Sequence, residues 1–186
     1  MEPFTDVDLA ALEAGLGHIR ESPSDDGELV MIVRRPEIGA REILDEGELS
    51  LTEGLVGDVW PRRRSRRTPD GSPHPDMQLN VINARFSALI SQDADHRAQA
   101  GDQLHVDLDL SVDDLPAGTR LAIGTAVIEV TDQPHTGCGK FSRRFGAAVH
   151  RFANGEVGSA LRLRGLNAKV VQPGTIRTGD RIKRLS

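Results

Sequence analysis

A single cysteine is the residue in this chain best suited to chemistry. Cys138 stands between Gly137 and Gly139, and a helical pattern begins directly after it at Lys140. The start of a helix presents unpaired backbone N–H groups and a partial positive charge, and both favour a thiolate over a thiol. The flanking glycines would let the backbone approach a ligand closely. A free cysteine is also often a small buried apolar residue, so the sequence alone leaves both roles open.

Cationic side chains follow the thiol along the chain. Lys140, Arg143 and Arg144 lie in the first turns of the predicted helix. Residues 136–186 carry 11 basic against 2 acidic side chains, whereas residues 1–58 carry 4 basic against 15 acidic ones. A basic segment that opens at the thiol indicates a site for an anion, with phosphate the first candidate and nucleic acid the next. The alternative is that the acidic first third folds against the basic last third.

Three kinds of site that are common in proteins can be compared with the sequence of this segment. Residues 137–140 lack the glycine spacing of a phosphate-binding loop. A zinc site built from His135, Cys138 and His150 fits no recognised ligand spacing. A Cys/His hydrolase needs a histidine beside the thiol; His135 is close in sequence, whereas His105 and His150 could be close only in space.

The elements that position this segment are predicted to be mostly short strands. Alternating or compact apolar runs predict strands over residues 28–34, 77–83, 103–110, 120–131 (two strands bent at Gly124), 167–172 and 180–185. A helix is predicted over about 6–20, capped by Asp6 or Asp8. Two more are predicted after the cysteine, over 140–153 and 156–164. This pattern predicts a predominantly β, α+β fold with a barrel-like sheet and a late helix pair after Cys138.

Composition narrows the class of protein. A chain of 186 residues, 38% of them hydrophobic, can bury one core, which predicts a single domain over residues 1–186. One cysteine permits no internal disulfide and indicates a reducing, cytoplasmic setting. No apolar run approaches the roughly 18 residues of a membrane span, so we expect no membrane partner. Five Phe, one Trp and no Tyr disfavour a nucleic-acid platform of stacked rings.

An arginine- and proline-rich loop is predicted over about residues 61–75. It contains the run Arg-Arg-Arg-Ser-Arg-Arg at residues 62–67, and it shows no apolar periodicity. Loops of this length in compact domains are usually functional or mobile. This loop therefore either covers a ligand or is simply solvated.

Four stretches of the chain, in order, resemble the MOSC (molybdenum-cofactor sulfurase C-terminal) domain family. They are residues 54–58 (Gly-Leu-Val-Gly-Asp), 101–104 (Gly-Asp-Gln-Leu), 123–131 (Ile-Gly-Thr-Ala-Val-Ile-Glu-Val-Thr) and 165–180, with Cys138 between the last two. The resemblance spans about residues 28–185 and implies a MOSC-type closed or partly closed β-barrel. Two positions depart from the family pattern: Gly137 stands where proline is common, and Gln103 where asparagine is common.

The resemblance implies a site that handles sulfur or the molybdenum cofactor through the cysteine. In one version Cys138 binds the molybdenum of a pterin cofactor in a small, reductase-like enzyme. The phosphate of this anionic cofactor would then meet Lys140, Arg143 and Arg144, with His135 or Asp58 as proton carriers. The remaining candidate cofactor-binding residues are Gly137, Gly139 and Asn167. Asp58 could instead be an ordinary turn residue, and Asn167 could simply satisfy backbone groups.

A second version makes the protein a sulfur carrier. Cys138 would hold a persulfide and deliver sulfur without retaining a cofactor, and the basic segment would dock a sulfur donor or acceptor protein. Larger sulfurases of the family carry a separate pyridoxal-phosphate domain, and we expect no pyridoxal phosphate on this chain. A third reading, a basic module that binds nucleic acid, is disfavoured by the negative overall charge.

Overall fold

The computed structural model describes residues 7–185, which form eleven strands and six α-helices. The strands are β1 (Gly27–Arg34), β2 (Glu42–Leu44), β3 (Glu46–Ser50), β4 (Gly54–Leu55), β5 (Leu79–Asn83), β6 (Leu104–Asp107), β7 (Arg120–Ile123), β8 (Ala126–Val130), β9 (Leu166–Gln172), β10 (Gly174–Arg177) and β11 (Arg181–Leu185). The helices are α1 (Leu9–Arg20), α2 (Ala84–Ile90), α3 (Ala94–Ala98), α4 (Gly139–Phe145), α5 (Ala147–Asn154) and α6 (Glu156–Ala160).

Seven of the strands close into a barrel. Neighbouring strands are hydrogen-bonded in the order β1, β11, β7, β8, β9, β5 and β6, and β6 pairs back to β1. The β1–β11 pairing, with Gly27 opposite Ile182, closes the ring. The β5–β6 pair is parallel, and the other barrel pairs are antiparallel. The predicted α+β fold with a closed β-barrel is thereby confirmed.

Apolar side chains pack on both faces of the barrel wall. Because side chains alternate across a strand, Val81 packs into the barrel interior whereas its neighbour Ile82 packs outward. The outward cluster joins Ile82 to Phe86 of α2 and to Phe141 and Phe145 of α4. Helix α4, which follows the cysteine directly, is therefore anchored to the barrel by two buried rings.

The helical segment after the cysteine is divided where the sequence pattern predicted continuity. Gly146 adopts φ 89° and ψ 154°, a conformation that favours glycine, and it ends α4 and begins α5. The single helix predicted over 140–153 is thus two short helices. The next helix, α6, ends at Ala160 rather than near residue 164. The predicted helix pair is a set of three short helices.

Other boundaries differ modestly from the predicted ones. Helix α1 begins at Leu9, and the Asp8 carboxylate caps it by accepting a hydrogen bond from the N–H of Ala11 at 2.8 Å. The alternative cap, Asp6, lies outside the described residues. A small sheet in the order β10, β3, β4 was not predicted, because β10 begins at the glycine of a Pro-Gly pair that indicates a turn. None of the helices in residues 7–185 is long and apolar enough to span a membrane.

The close approach of Gly165 to the backbone of Val81 gives a testable prediction about stability. Its φ is +104°, and a Cβ there would lie 2.3 Å from the carbonyl oxygen of Val81. Gly179 has a similar φ of +92° with open space around it, so it serves as the matched control. We expect Gly179→Ala to cost about 1 kcal/mol for the backbone conformation alone. Gly165→Ala should cost about 3 kcal/mol or more, because the clash is added.

Urea unfolding of the two variants measures this difference. Equal losses in the free energy of unfolding would show that the chain relaxes around Val81. The short distance would then not restrict residue 165 to glycine.

Candidate functional site

Cys138 lies at a cleft of about 340 Å³ between its own loop, the end of β1 and the arginine-rich loop. The thiol is exposed. The cleft wall contains one acidic residue, Glu37, and six cationic ones: Arg35, Arg41, Arg63, Lys140, Arg144 and Arg164.

The loop that carries the cysteine is held at both ends. At its start, the N–H of Thr131 donates to the Asn167 carbonyl at 3.0 Å, and the Asn167 side-chain amide donates to the Gln133 carbonyl at 3.0 Å. At its end, His150 Nε2 donates to the carbonyl of Gly137 at 2.8 Å. A Cβ at Gly137 would lie 2.8 Å from the His150 ring, so glycine permits this close contact. The backbone that leads to the thiol is therefore fixed.

The surroundings of the thiol favour its ionised form. Cys138 is the N-cap residue of α4, although its sulfur makes no cap hydrogen bond of regular geometry. Partial burial alone would raise its pKa. The backbone N–H groups of Phe141 and Lys140, together with the Arg164 guanidinium, outweigh burial and lower the pKa of the thiol. The sequence-based expectation of a thiolate-favouring helix start agrees with this arrangement.

A buried carboxylate organises the wall beside the thiol. Asp102 is fully buried, and it accepts hydrogen bonds from Arg164 Nη1 at 2.7 and 2.9 Å and from His135 Nε2 at 2.8 Å. Burial would raise the pKa of Asp102, but Arg164 and His135 hold it well below its usual range. The guanidinium of Arg164 also lies 4.6 Å from the centroid of the Phe141 ring.

His135 is oriented by this carboxylate. Because Asp102 is ionised, the imidazole proton sits on Nε2, and Nδ1 keeps a free lone pair. Burial, with the charge of Arg164, lowers the pKa of His135 against the opposing effect of Asp102, and this favours the neutral ring.

A second buried ion pair fixes the opposite wall. Arg35 donates from Nε and Nη2 to the two oxygens of Asp58 at 2.9 and 2.8 Å, and both side chains are almost completely buried. Arg35 Nη1 also donates to Asn80 Oδ1 at 3.2 Å and to the Gly101 carbonyl at 2.9 Å. Asp58 additionally accepts the N–H of Trp60 at 2.9 Å. Asp58 therefore holds an arginine at the cleft wall without lining the cleft itself.

Hydrogen bonds connect the wall that contains Arg35 and Asp58 to the cysteine loop. Asn80 Nδ2 donates to Asn167 Oδ1 at 2.6 Å, and Asn167 in turn holds the Gln133 carbonyl. A continuous hydrogen-bonded path thus runs from Asp58 through Arg35 to the loop that ends at the thiol.

The structure brings some of the predicted site residues together and leaves others outside the cleft. Cys138, His135, Lys140 and Arg144 line it. The predicted residues that do not line it are Gly137, Gly139, Arg143, Asp58 and Asn167. Among these, Arg143 is exposed and Asn167 is fully buried with both amide atoms hydrogen-bonded.

Four of the cleft cations have no carboxylate partner within residues 7–185: Arg41, Arg63, Lys140 and Arg144. The expected alternative, pairing of the acidic first third with the basic last third, holds elsewhere, since Arg177 binds Glu46 and Arg181 binds Asp26. Burial and the charges of Arg144 and Arg35 lower the pKa of Arg41 to about 10. Cations crowded in this way favour a bound anion.

Sequence reasoning missed the residues that build the walls. Arg35, Asp102 and Arg164 are charged and buried, whereas charged side chains are expected at the surface. One signal was available: Asp102 lies in the Gly-Asp-Gln-Leu stretch on which the family resemblance depends.

The two other histidines weighed as partners of the thiol have different positions. His150 supports Gly137 from α5, as described above. His105 lies under α2, where Nδ1 bonds Ser87 Oγ at 3.0 Å, and it lines a separate cleft. Its Nε2 is buried without a partner in the described chain.

Comparison with known proteins supports the architecture. Residues 75–183, more than half of the chain, match the MOSC domain family. The chain belongs to the MOSC domain family. Comparison with curated protein sequences gave no significant match.

Solved structures show the same fold at low sequence identity. The YuaD protein from Bacillus subtilis superposes with a TM-score of 0.60 at 17% identity, over 85% of this chain and 94% of YuaD. YiiM from Escherichia coli gives 0.54 at 20% identity, over 86% of this chain and 70% of YiiM. YiiM from Geobacillus stearothermophilus gives 0.56 at 15% identity, over 86% and 75%. These three structures share the fold of this chain.

The thiol pKa of this MOSC domain can be measured directly, because the chain has one cysteine. We expect the pH dependence of Cys138 alkylation by iodoacetamide to have its midpoint at lower pH in the folded protein than in the urea-unfolded chain. The N–H groups of α4 and Arg164 act on the thiol only in the fold. A folded midpoint equal to or above the unfolded one would contradict this electrostatic account.

The burial of His105 leads us to expect a loss of stability in mild acid. Burial lowers the pKa of His105 to about 4, whereas the unfolded imidazole titrates at 6.5. As the pH falls from 7 towards 4, the unfolded chain takes up a proton that the folded chain does not, so unfolding is favoured. The pKa difference corresponds to about 3 kcal/mol at most.

Urea unfolding at a series of pH values between 7 and 4 tests this effect. His105→Gln should flatten the pH dependence, and His18→Gln, which removes an exposed imidazole, should leave it unchanged. A profile for His105→Gln as steep as that of the wild type would show that His105 does not cause the acid sensitivity.

Proposed function

We propose that this MOSC domain binds a molybdenum–pterin cofactor in the cleft, with the Cys138 sulfur as the metal ligand and the unpaired cations around the anionic group of the pterin. The observation that supports this most is a thiol of lowered pKa beside four cations that lack carboxylate partners. A soft thiolate suits a molybdenum–sulfur site, and arginine and lysine suit phosphate.

The residues present fit the proposed cofactor. Within residues 7–185 no group of three or more His, Cys, Asp or Glu side chains is arranged to hold a metal ion. A single thiolate is compatible with a metal whose other ligands come from its cofactor. When bound, the molybdenum would supply oxidation–reduction chemistry. This chain would supply the thiolate, the cationic walls and a proton carrier.

His135 is the proposed proton carrier. Asp102 holds its Nε2–H, which leaves the Nδ1 lone pair free to accept a proton from a group in the cleft and to return it. Asp58 stays a predicted proton carrier as well, but both of its oxygens accept hydrogen bonds from Arg35 and from backbone N–H groups. Those contacts favour a positioning role for Asp58, in which it fixes Arg35 in the cleft wall.

A second function, sulfur transfer through a persulfide on Cys138, is favoured by the exposure of the sulfur. A partner protein could reach it, and the same cations would stabilise a persulfide anion. In either function we expect the protein to work in a reducing, cytoplasmic setting.

Metal and pterin analysis after expression in a host that makes the cofactor separates these functions. We expect molybdenum and pterin in the wild type and at least about a tenfold loss of both in Cys138→Ala, because the only protein ligand is removed. Lys140→Gln should retain less cofactor than the wild type. Lys183→Gln, which changes another exposed lysine, on β11, should match the wild type.

Two outcomes would overturn the proposal. Cyanide-releasable sulfur on Cys138 without molybdenum would establish the sulfur carrier instead. Equal molybdenum contents in the wild type and Cys138→Ala would remove Cys138 from the metal site.

A further inference from the structure

A smaller cavity of about 130 Å³ adjoins the cysteine cleft. Arg35, Arg63, Met77 and Asn80 line both cavities, so the two share a wall. We call the smaller one the side pocket, defined by those four residues together with Trp60, Arg64, Ser65, Pro73 and His74.

We propose that the side pocket binds a planar aromatic anion. That this ligand is the substrate of the chemistry at Cys138 rests on the proposed function, whereas the binding itself does not.

The aromatic part of the proposal depends on Trp60. It is the single tryptophan of the chain, and it is only partly buried, so its ring is available at the pocket wall. Its backbone N–H is held by the same Asp58 carboxylate that fixes Arg35. The backbone that carries the indole is thus held by a buried ion pair, and a flat ring in the pocket can stack against the indole.

The charge of the ligand follows from the other wall residues. No acidic residue lines the side pocket, and Arg63 and Arg64 make no ion pair within residues 7–185. Arg63 is also partly desolvated, which lowers its pKa and raises the benefit of a bound counter-charge. Guanidinium groups bind carboxylates through paired hydrogen bonds and also stack on flat rings.

His74 adds a donor to the same wall. Its Nδ1 accepts the backbone N–H of Asp76 at 3.2 Å, so the ring proton of the neutral imidazole sits on Nε2. Its polar contribution is therefore an N–H group, which suits an acceptor oxygen. With Met77 and Pro73 as apolar surface, the wall combines stacking, apolar contact and donors.

Size restricts the ligand to about one ring system. An apolar cavity of about 150 Å³ holds benzene, and the side pocket is comparable. The wall that it shares with the cysteine cleft includes Arg63, whose guanidinium lies near enough to Cys138 for the two charges to interact. A ring bound here would therefore lie next to the cysteine cleft.

Benzoate is the probe for the experiment, and Trp60 is the reporter. Titration is followed by tryptophan fluorescence and by the single indole N–H resonance in nitrogen-15 NMR spectra. Two probes of similar size isolate the two requirements: benzamide lacks the charge, and cyclohexanecarboxylate lacks the flat ring. We expect benzoate to bind about tenfold more tightly than either, which corresponds to one charge-assisted contact or its stacking equivalent.

Protein variants locate the site. Arg64→Gln should weaken benzoate binding about tenfold, because it removes a cation from the wall of the side pocket. Arg64 does not line the cysteine cleft, so the loss would be specific to the side pocket. Arg66→Gln removes the same charge from the same loop outside both cavities and should leave binding unchanged. Cys138→Ala should retain benzoate binding, because Cys138 does not line the side pocket.

The results separate this inference from the proposed function. Benzoate binding by cofactor-free protein and by Cys138→Ala would support the side pocket even if no molybdenum were ever found. Absence of benzoate binding, equal affinity for benzamide, or equal losses in Arg64→Gln and Arg66→Gln would overturn the inference, whatever the metal content of the protein.

Discussion

Burying the Asp102 carboxylate would cost several kcal/mol in lost hydration if no cation and no hydrogen-bond donors surrounded it. Arg164 and His135 supply both, and each of them belongs to a different part of the site. His135 lies in the cysteine loop, and Arg164 packs on the Phe141 ring in the first turn of α4. One carboxylate therefore fixes the loop before the thiol and the helix after it.

The arginines of this protein divide into two electrostatic kinds. Arg35 and Arg164 are buried and neutralised by Asp58 and Asp102, so they contribute shape and rigidity. Arg63 and its neighbours around the cleft have no such partners, and they create the positive field that an anion would meet. Because the field comes from partly exposed groups, added salt would screen it, whereas the buried pairs would be affected much less.

The sequence allowed the barrel and the position of the thiol to be predicted, but not the walls of the cleft. Strand alternation identified most barrel strands because each one buries one face locally. The break at Gly146 and the strand at β10 were missed, since a local pattern cannot show where glycine adopts a positive φ or finds a strand partner. Asp58 is 23 residues from Arg35, and Asp102 is 62 from Arg164. Ion pairs between residues so far apart in the sequence form only in the tertiary structure. Local sequence patterns therefore cannot predict them or the burial of their charges.

The closure of the barrel by β1 and β11 decides when this site can exist. The first barrel strand pairs with the last one, so the ring cannot close until residues 181–185 are available. Contacts of such long sequence separation form late in folding. Until then Cys138 lacks the fixed surroundings that lower its pKa. The lowered pKa of the thiol is therefore a property of the finished barrel and not of the incomplete chain.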